Sequence, residues 1–184
     1  MTHRKDAIAG TILLLLVMAL NTSAAWATKR VATDACPAPA VADARFREAI
    51  TILCLVNRER TTRGLTAVRV SQQLSQSALA HTKDMVEHRF FGHADSAGLN
   101  FRQRVARSGY VRNSSTYIAE TLAWGSFQWA TPEGLVASLM SSPPHKRAIL
   151  DGRFRDIGVG LIDAVPFPQL AEAGATLTLQ FGRR

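Results

Sequence analysis

The chain has 184 residues, 47% of them hydrophobic and 20% charged, which excludes wholesale disorder and suits about one domain. Two cysteines are too few for a disulfide-framework miniprotein or a four-thiolate zinc site. The formal net charge of +8 favours acidic surfaces without naming one, and the basic residues are spread along the chain with no nucleic-acid motif, so no nucleic-acid partner is expected.

The first segment reads as an address. His3, Arg4 and Lys5 form a basic start, Ile8 to Leu20 an apolar run, and Ala25-Trp26-Ala27 an A-x-A cleavage signal. The run is shorter than the roughly 20 apolar residues of a membrane span. Residues 1–27 are therefore expected to be a signal peptide, and the alternative is an uncleaved anchor. The mature chain would begin at Thr28, carry a net charge of +7 and reside in the periplasm or outside the cell, with no stable membrane span. Export places Cys36 and Cys54 where paired thiols oxidise, so a bridge between them is expected; two unpaired thiols are the alternative.

Residues 28–42 read as a Pro/Ala-rich linker and residues 43–184 as one domain. Asp43 is a plausible N-cap, followed at helical spacing by Phe46, Ala49, Ile50, Leu53, Val56 and Asn57, with Gly64 ending the helix. Ser71 caps a second helix with the stripe Leu74, Ala78, His81, Met85 and His88. Asn100 caps a third, Phe101 to Ser108, closed by Gly109. Thr131-Pro132 opens a fourth, carrying Leu135, Val136, Leu139 and Met140, and Pro143-Pro144 stops it. The period then changes. Residues 157–162 and 176–181 read as strands, with Leu177, Leu179 and Phe181 on one face, and a long loop joins them as a hairpin. Helices first and strands last predict an α+β arrangement and not a doubly wound nucleotide fold.

No phosphate loop, dinucleotide fingerprint, G-x-S-x-G elbow or H-E-x-x-H pair is present. His93, Glu120 and His145 remain, read as loop positions. Glu120 stands in the apolar run Ile118-Ala119-Glu120-Thr121-Leu122-Ala123 and needs a partner, because an isolated buried charge is costly. His145 follows Ser142-Pro143-Pro144 at a helix start, which disfavours imidazolium. His81, Asp84 and His88 lie on or beside one helix face and could hold a surface metal, but packing against the core is the simpler reading. Arg102, Arg104, Arg107 and Arg112 read as a solvated basic face able to touch anionic envelope polymers or lipid head groups.

The motifs Leu55-Val56-Asn57-x-Glu59-Arg60, Ala80-His81-x-x-Asp84-Met85, Phe91-Gly92-His93, Ala119-Glu120-Thr121-Leu122-Ala123-x-Gly125, Ser142-Pro143-Pro144-His145-x-x-x-Ile149-Leu150, Phe154-Arg155-Asp156-Ile157-Gly158-Val159-Gly160 and Gln180-Phe181-Gly182 occur in this order. Together, over about residues 45–182, they resemble bacterial CAP-domain proteins, the secreted relatives of cysteine-rich secretory proteins, antigen 5 and pathogenesis-related proteins. The resemblance implies a three-layer α-β-α sandwich with a central cleft holding two histidines and two acids, which in some members binds a divalent ion such as zinc. It assigns His93, Glu120 and His145 to that cleft, as metal ligands or catalytic groups, with Asp156 as the candidate further acid. The sequence departs from the family pattern at Ala119 and Thr121, which flank Glu120, and at Ala148 and Leu179.

The function this implies is a cleft-bearing binding module of the cell envelope or exterior, with a lipid, sterol or wall-polymer ligand. The alternative is a hydrolase in which Glu120 is the general base, acting through a water polarised by His93 and His145, with or without zinc.

Overall fold

A computed structural model describes Cys36 and residues 43–171 and 173–184. The expected signal peptide at 1–27 and the expected linker at 28–42, Cys36 apart, lie outside the described residues. Each long helix begins at the expected cap. Asp43 accepts from the backbone N–H groups of Arg45 and Phe46 and opens α1 (Ala44–Thr61). Ser71 opens α2 (Gln72–Glu87) by accepting from Leu74 N–H. Asn100 and Gln103 form a reciprocal capping box on α3 (Phe101–Arg107). Thr131 caps α4 (Pro132–Ser141). These contacts satisfy backbone donors that a helix start otherwise leaves unpaired.

Pro143-Pro144 do more than stop α4. They occupy the first turn of α5 (Pro143–Ile149), where a missing backbone N–H costs nothing. His145 thus sits on the first turn of a short helix.

The sheet has four strands in the order β1-β3-β4-β2. β1 (Arg69–Val70) runs parallel to β3 (Asp156–Ile162), β3 pairs antiparallel with β4 (Ala175–Arg183), and β4 pairs antiparallel with β2 (Tyr117–Gly125). The expected hairpin of β3 and β4 is present. β1 and β2 are additions to the sequence reading, and β2 corrects it: Glu120 stands on a strand and not in a loop. Glu120, Thr121, Leu122 and Ala123 are all buried, so the middle of β2 has no solvent face and shows no alternation of polar and apolar residues.

Side chains alternate across the sheet and so define the layers. Ile157 and Leu161 of β3 and Leu177, Leu179 and Phe181 of β4 pack with Ile52, Leu55 and Val56 of α1 and Leu135 and Leu139 of α4. On the other face, Gly158 and Gly160 let α2 lie directly on β3. A Cβ at Gly158 would stand 2.2 Å from the Leu74 carbonyl carbon, and one at Gly160 2.3 Å from that of Ala78. Thr82 of α2 donates across the same interface to Gly160 O and meets Thr178 of β4. The result is the α-β-α sandwich.

Two polar side chains fix the periphery. Arg60, with no exposed surface, donates to the carbonyls of Thr66, Ile149, Asp151 and Phe154, and so ties the end of α1 to the end of α5. Asn57 brackets Val68 with two hydrogen bonds ahead of β1. Cys36 and Cys54 form the expected disulfide, with a Cα–Cα distance of 5.7 Å. No helix among the described residues is long and apolar enough to cross a membrane.

Candidate functional site

Glu120 projects from β2 beside Gln180, its register partner on β4. The side chain has no exposed surface. Four hydrogen bonds converge on its carboxylate. Arg104 Nη2 donates to Oε1 and Oε2 at 2.9 and 2.7 Å, Gln180 Nε2 donates to Oε2 at 2.9 Å, and His93 Nδ1 lies 2.9 Å from Oε1. Burial pushes the Glu120 carboxyl upward, but the His93 hydrogen bond, the Arg104 cation and the Gln180 amide outweigh it and hold the group below the usual carboxylate range. The carboxylate is therefore ionised and fully partnered.

This corrects the reading of the third helix. Arg104 is not on a solvated face; it is 8% exposed and is the principal counter-charge of Glu120. Arg102 is also engaged, donating to the carbonyls of Asn113, Ser114 and Thr116. The sequence carried a signal for Arg104. Phe101, Arg104, Val105 and Ser108 lie at i, i+3, i+4 and i+7, which puts the arginine on the inward stripe of α3. Gln180 was legible only as the polar face of β4.

His93 lies in the loop after α2, and that loop is held from below. His81 Nε2 donates to Gly92 O at 2.9 Å, and Arg104 Nη1 donates to His93 O at 2.7 Å and Leu99 O at 3.0 Å. The Asp84 carboxylate accepts from Ser96 N–H, and Asp95 Oδ1 accepts from Ala97 and Leu99 N–H. His81 is buried against the core and Asp84 anchors the loop, so these two side chains are occupied structurally, while His88 pairs with Asp84 at the surface. A carboxylate only accepts, so His93 Nδ1 carries the proton that faces Glu120. In the neutral ring, Nε2 keeps its lone pair. The His93 side chain is 56% exposed, so this edge is available to a ligand.

His145 is half-buried on α5. Burial, and then the charge of nearby His93, lower its pKa, which favours the neutral ring. It makes no hydrogen bond to Glu120 among the described residues. Asp156 is not a further acid of this cluster: Arg69 Nε donates to one oxygen at 2.9 Å and Tyr110 OH to the other at 2.7 Å.

A zinc ion held directly by His93, Glu120 and His145 does not fit this donor set. Both Glu120 oxygens are saturated, and a guanidinium stands against them where the ion would need open lone pairs. Among the described residues, no group of three or more His, Cys, Asp or Glu is placed to hold a metal. The geometry instead makes Glu120 the residue that orients His93.

A profile described as the cysteine-rich secretory protein family (CAP) matches residues 53–164. YkwD of Bacillus subtilis is 30% identical over 127 residues, which is 69% of this chain and 44% of that protein. Among solved structures, an extracellular SCP-domain protein of Bacillus anthracis is similar with a TM-score of 0.61 and 22% identity, over 72% of this chain and 39% of the other. An outer surface protein of Borrelia burgdorferi is similar with a TM-score of 0.59 and 19% identity, over 72% and 90%. This chain thus spans less than half the length of both Bacillus relatives. At these identities the structural likeness speaks for the fold alone.

Proposed function

Because the chain belongs to the cysteine-rich secretory protein family, we propose that it is an exported binding module of the cell envelope or exterior whose cleft presents His93 and His145 to its ligand. The observation that carries this reading is the saturated Glu120 carboxylate. Its bonding is spent on Arg104, Gln180 and His93, which makes it a rigid support and leaves His93 Nε2 free to bind. The extracellular or surface setting named for two of the structural neighbours supports an exported location, as does the A-x-A signal ending at Ala27. The net positive charge favours an anionic wall polymer or a lipid head group as ligand.

Co-sedimentation of the mature chain with purified wall polymer, anionic vesicles and neutral vesicles tests this. The expected result is retention on an anionic arm, weakened by His93→Ala and by His145→Ala. Equal recovery with and without every arm refutes it.

The free His93 Nε2 edge also favours a second reading, hydrolysis, with the roles changed from those the sequence suggested. Glu120 cannot act as the base while both its oxygens are hydrogen-bonded; His93 Nε2 takes the proton and Glu120 holds the ring. Turnover of peptidoglycan, peptide or ester that disappears in His93→Ala supports this reading.

A further inference from the structure

The basic residues are spread along the sequence, but the fold collects five arginines at one end of the sheet. β1, β2 and β3 start at that end and β4 finishes there: Arg69 is level with Asp156, Asp156 with Gly182, and Arg183 with Tyr117. Arg69 opens β1, Arg155 stands just before β3, and Arg183 closes β4 with Arg184 after it. Arg153 lies over the ring of Tyr117, the first residue of β2, 4.0 Å from its centroid. In the order β1-β3-β4-β2, every strand end therefore carries a guanidinium, across three strand spacings of about 4.8 Å each. All five arginines are exposed.

Their charge is only partly balanced. Asp156 is buried and divides its oxygens between Arg69 and Tyr110, and Asp151 pairs with Arg153. Arg155 Nη1 donates to the carbonyls of Gly152 and Phe154, and Arg184 lies over the Tyr110 ring, 4.6 Å from its centroid. Among the described residues, neither these two nor Arg183 meets a carboxylate. Burial, and next the charge of Arg155, lower the pKa of Arg60 behind them, so like charges already crowd this end. At the opposite end the crowding is of the other sign: burial, and next the charge of Asp163 just after β3, raise the pKa of Glu48, although Arg47 opposes the shift. Charge is thus segregated along the strands, which orients the chain in the field of a polyanion.

The cations on the strand ends are all arginines, whose forked donors match a phosphate with two parallel hydrogen bonds. One phosphate engages only a neighbouring pair, whereas a row across four strands suits a chain of phosphates. A bilayer is the poorer fit. The large apolar side chains exposed on these strand ends are Val70 and Tyr117, and Tyr117 is taken up between the Phe154 ring and Arg153. Phe127 and Trp129, which are far more exposed, follow the other end of β2. The arginine end therefore presents little to insert among lipid tails.

We propose that this end of the sheet is a docking surface for a linear phosphate-bearing polymer of the envelope, a polyol-phosphate chain. Arg155 and Arg183 are the centre of the grip, since they stand side by side one step beyond the Asp156–Gly182 pair. Arg69 and Arg153 extend it to the outer strands. The proposal rests on the reading above for the export of the chain, and it needs neither His93 nor His145.

Titration calorimetry of the folded, disulfide-bonded mature chain with purified polyglycerol phosphate, at several salt concentrations, tests this. Inorganic phosphate, duplex DNA, anionic vesicles and neutral dextran are the other arms. The expected result is saturable binding to the polymer, with log affinity falling against log salt by about 0.7 for each phosphate neutralised. Arg155→Gln with Arg183→Gln should weaken binding about 10-fold and remove about 1.4 from that slope, two phosphates' worth. Arg155→Lys with Arg183→Lys, which keeps the charge, should keep the slope. Thermal unfolding checks each variant, and if the double Gln variant does not fold, Arg183→Glu alone should show the loss. The proposal is overturned by no binding to the polymer, by duplex DNA, vesicles or free phosphate binding as tightly as the polymer, or by an unchanged salt slope in the folded Gln variant. His93→Ala separates the two surfaces. Weakened binding in His93→Ala with none in the Gln variant keeps the cleft and removes the arginine surface, and the converse keeps the arginine surface and removes the cleft.

Discussion

Arg104 and Glu120 form a buried, two-pronged ion pair in which one guanidinium nitrogen donates to both carboxylate oxygens, at 2.9 and 2.7 Å, between α3 and β2. The same arginine carries the His93 and Leu99 carbonyls on its other nitrogen. One side chain therefore fixes both the acid of the site and the backbone of the histidine loop. Removing either partner leaves a buried charge without its principal counter-charge.

Arg104→Met is expected to destabilise the chain by about 3–5 kcal/mol, the usual cost of stranding one member of a buried pair. Arg104→Met combined with Glu120→Gln should cost less than the sum of the two, because neither charge is then stranded. Urea unfolding of the two single variants and the double variant measures this. Additive losses would show that the pair is not coupled.

The His93–Glu120 contact sets the tautomer of the histidine. In wild type at neutral pH, the ring is expected to carry its proton on Nδ1, facing Glu120 Oε1 2.9 Å away. Glu120→Gln replaces an obligate acceptor with an amide that can also donate, so the Nδ1–H form should lose its dominance. Ring-nitrogen chemical shifts of the two proteins decide the matter, and a spectrum unchanged by the substitution contradicts the orienting role.

Acid should weaken the fold in two stages. Burial lowers the pKa of both His81 and His145, so the unfolded chain takes up these protons first and stability falls as pH drops below about 6.5. Glu120 is held below the carboxylate range against the effect of burial, and the Arg153 hydrogen bond brings Asp151 to about 2. Both stabilise the fold above the ordinary carboxylate pKa and lose that contribution as pH falls through their depressed folded values. Urea midpoints from neutral to acid pH should decline in both windows, and His145→Gln should flatten the first. A midpoint that is level from pH 7 to 5 contradicts the histidine assignment.

The Cys36–Cys54 bridge closes a loop across a sequence separation of 18. In the chain-entropy relation its loss costs about 3 kcal/mol. Intact mass of the exported protein should start at Thr28 and show no thiol open to alkylation before reduction. Two alkylated cysteines in the untreated sample, or residues 1–27 still attached, are the opposing results.

Gly160→Ala should destabilise by about 1–3 kcal/mol or more, because the added Cβ meets the Ala78 backbone and not a side chain able to turn aside. Gly92→Ala, which meets nothing within 4 Å, is the control and should change thermal stability little.

What the sequence determined by itself is what local chemistry controls. The caps at Asp43, Ser71, Asn100 and Thr131 were legible because each bonds to an N–H only two or three residues away. The β3–β4 hairpin was legible from the change of period, and the ordered motifs pointed to the family and the sandwich. Tertiary structure alone decided the rest. β2 was hidden because burial on both faces erases the alternation that marks a strand. The partners of Glu120 lie 16, 27 and 60 residues away along the chain, on α3, a loop and β4, so only the stacking of those elements brings them together. For the same reason Asp156 went to Arg69 and Tyr110: which carboxylate serves the cleft depends on the cations and hydroxyls that the layers set beside it, and sequence spacing does not record that.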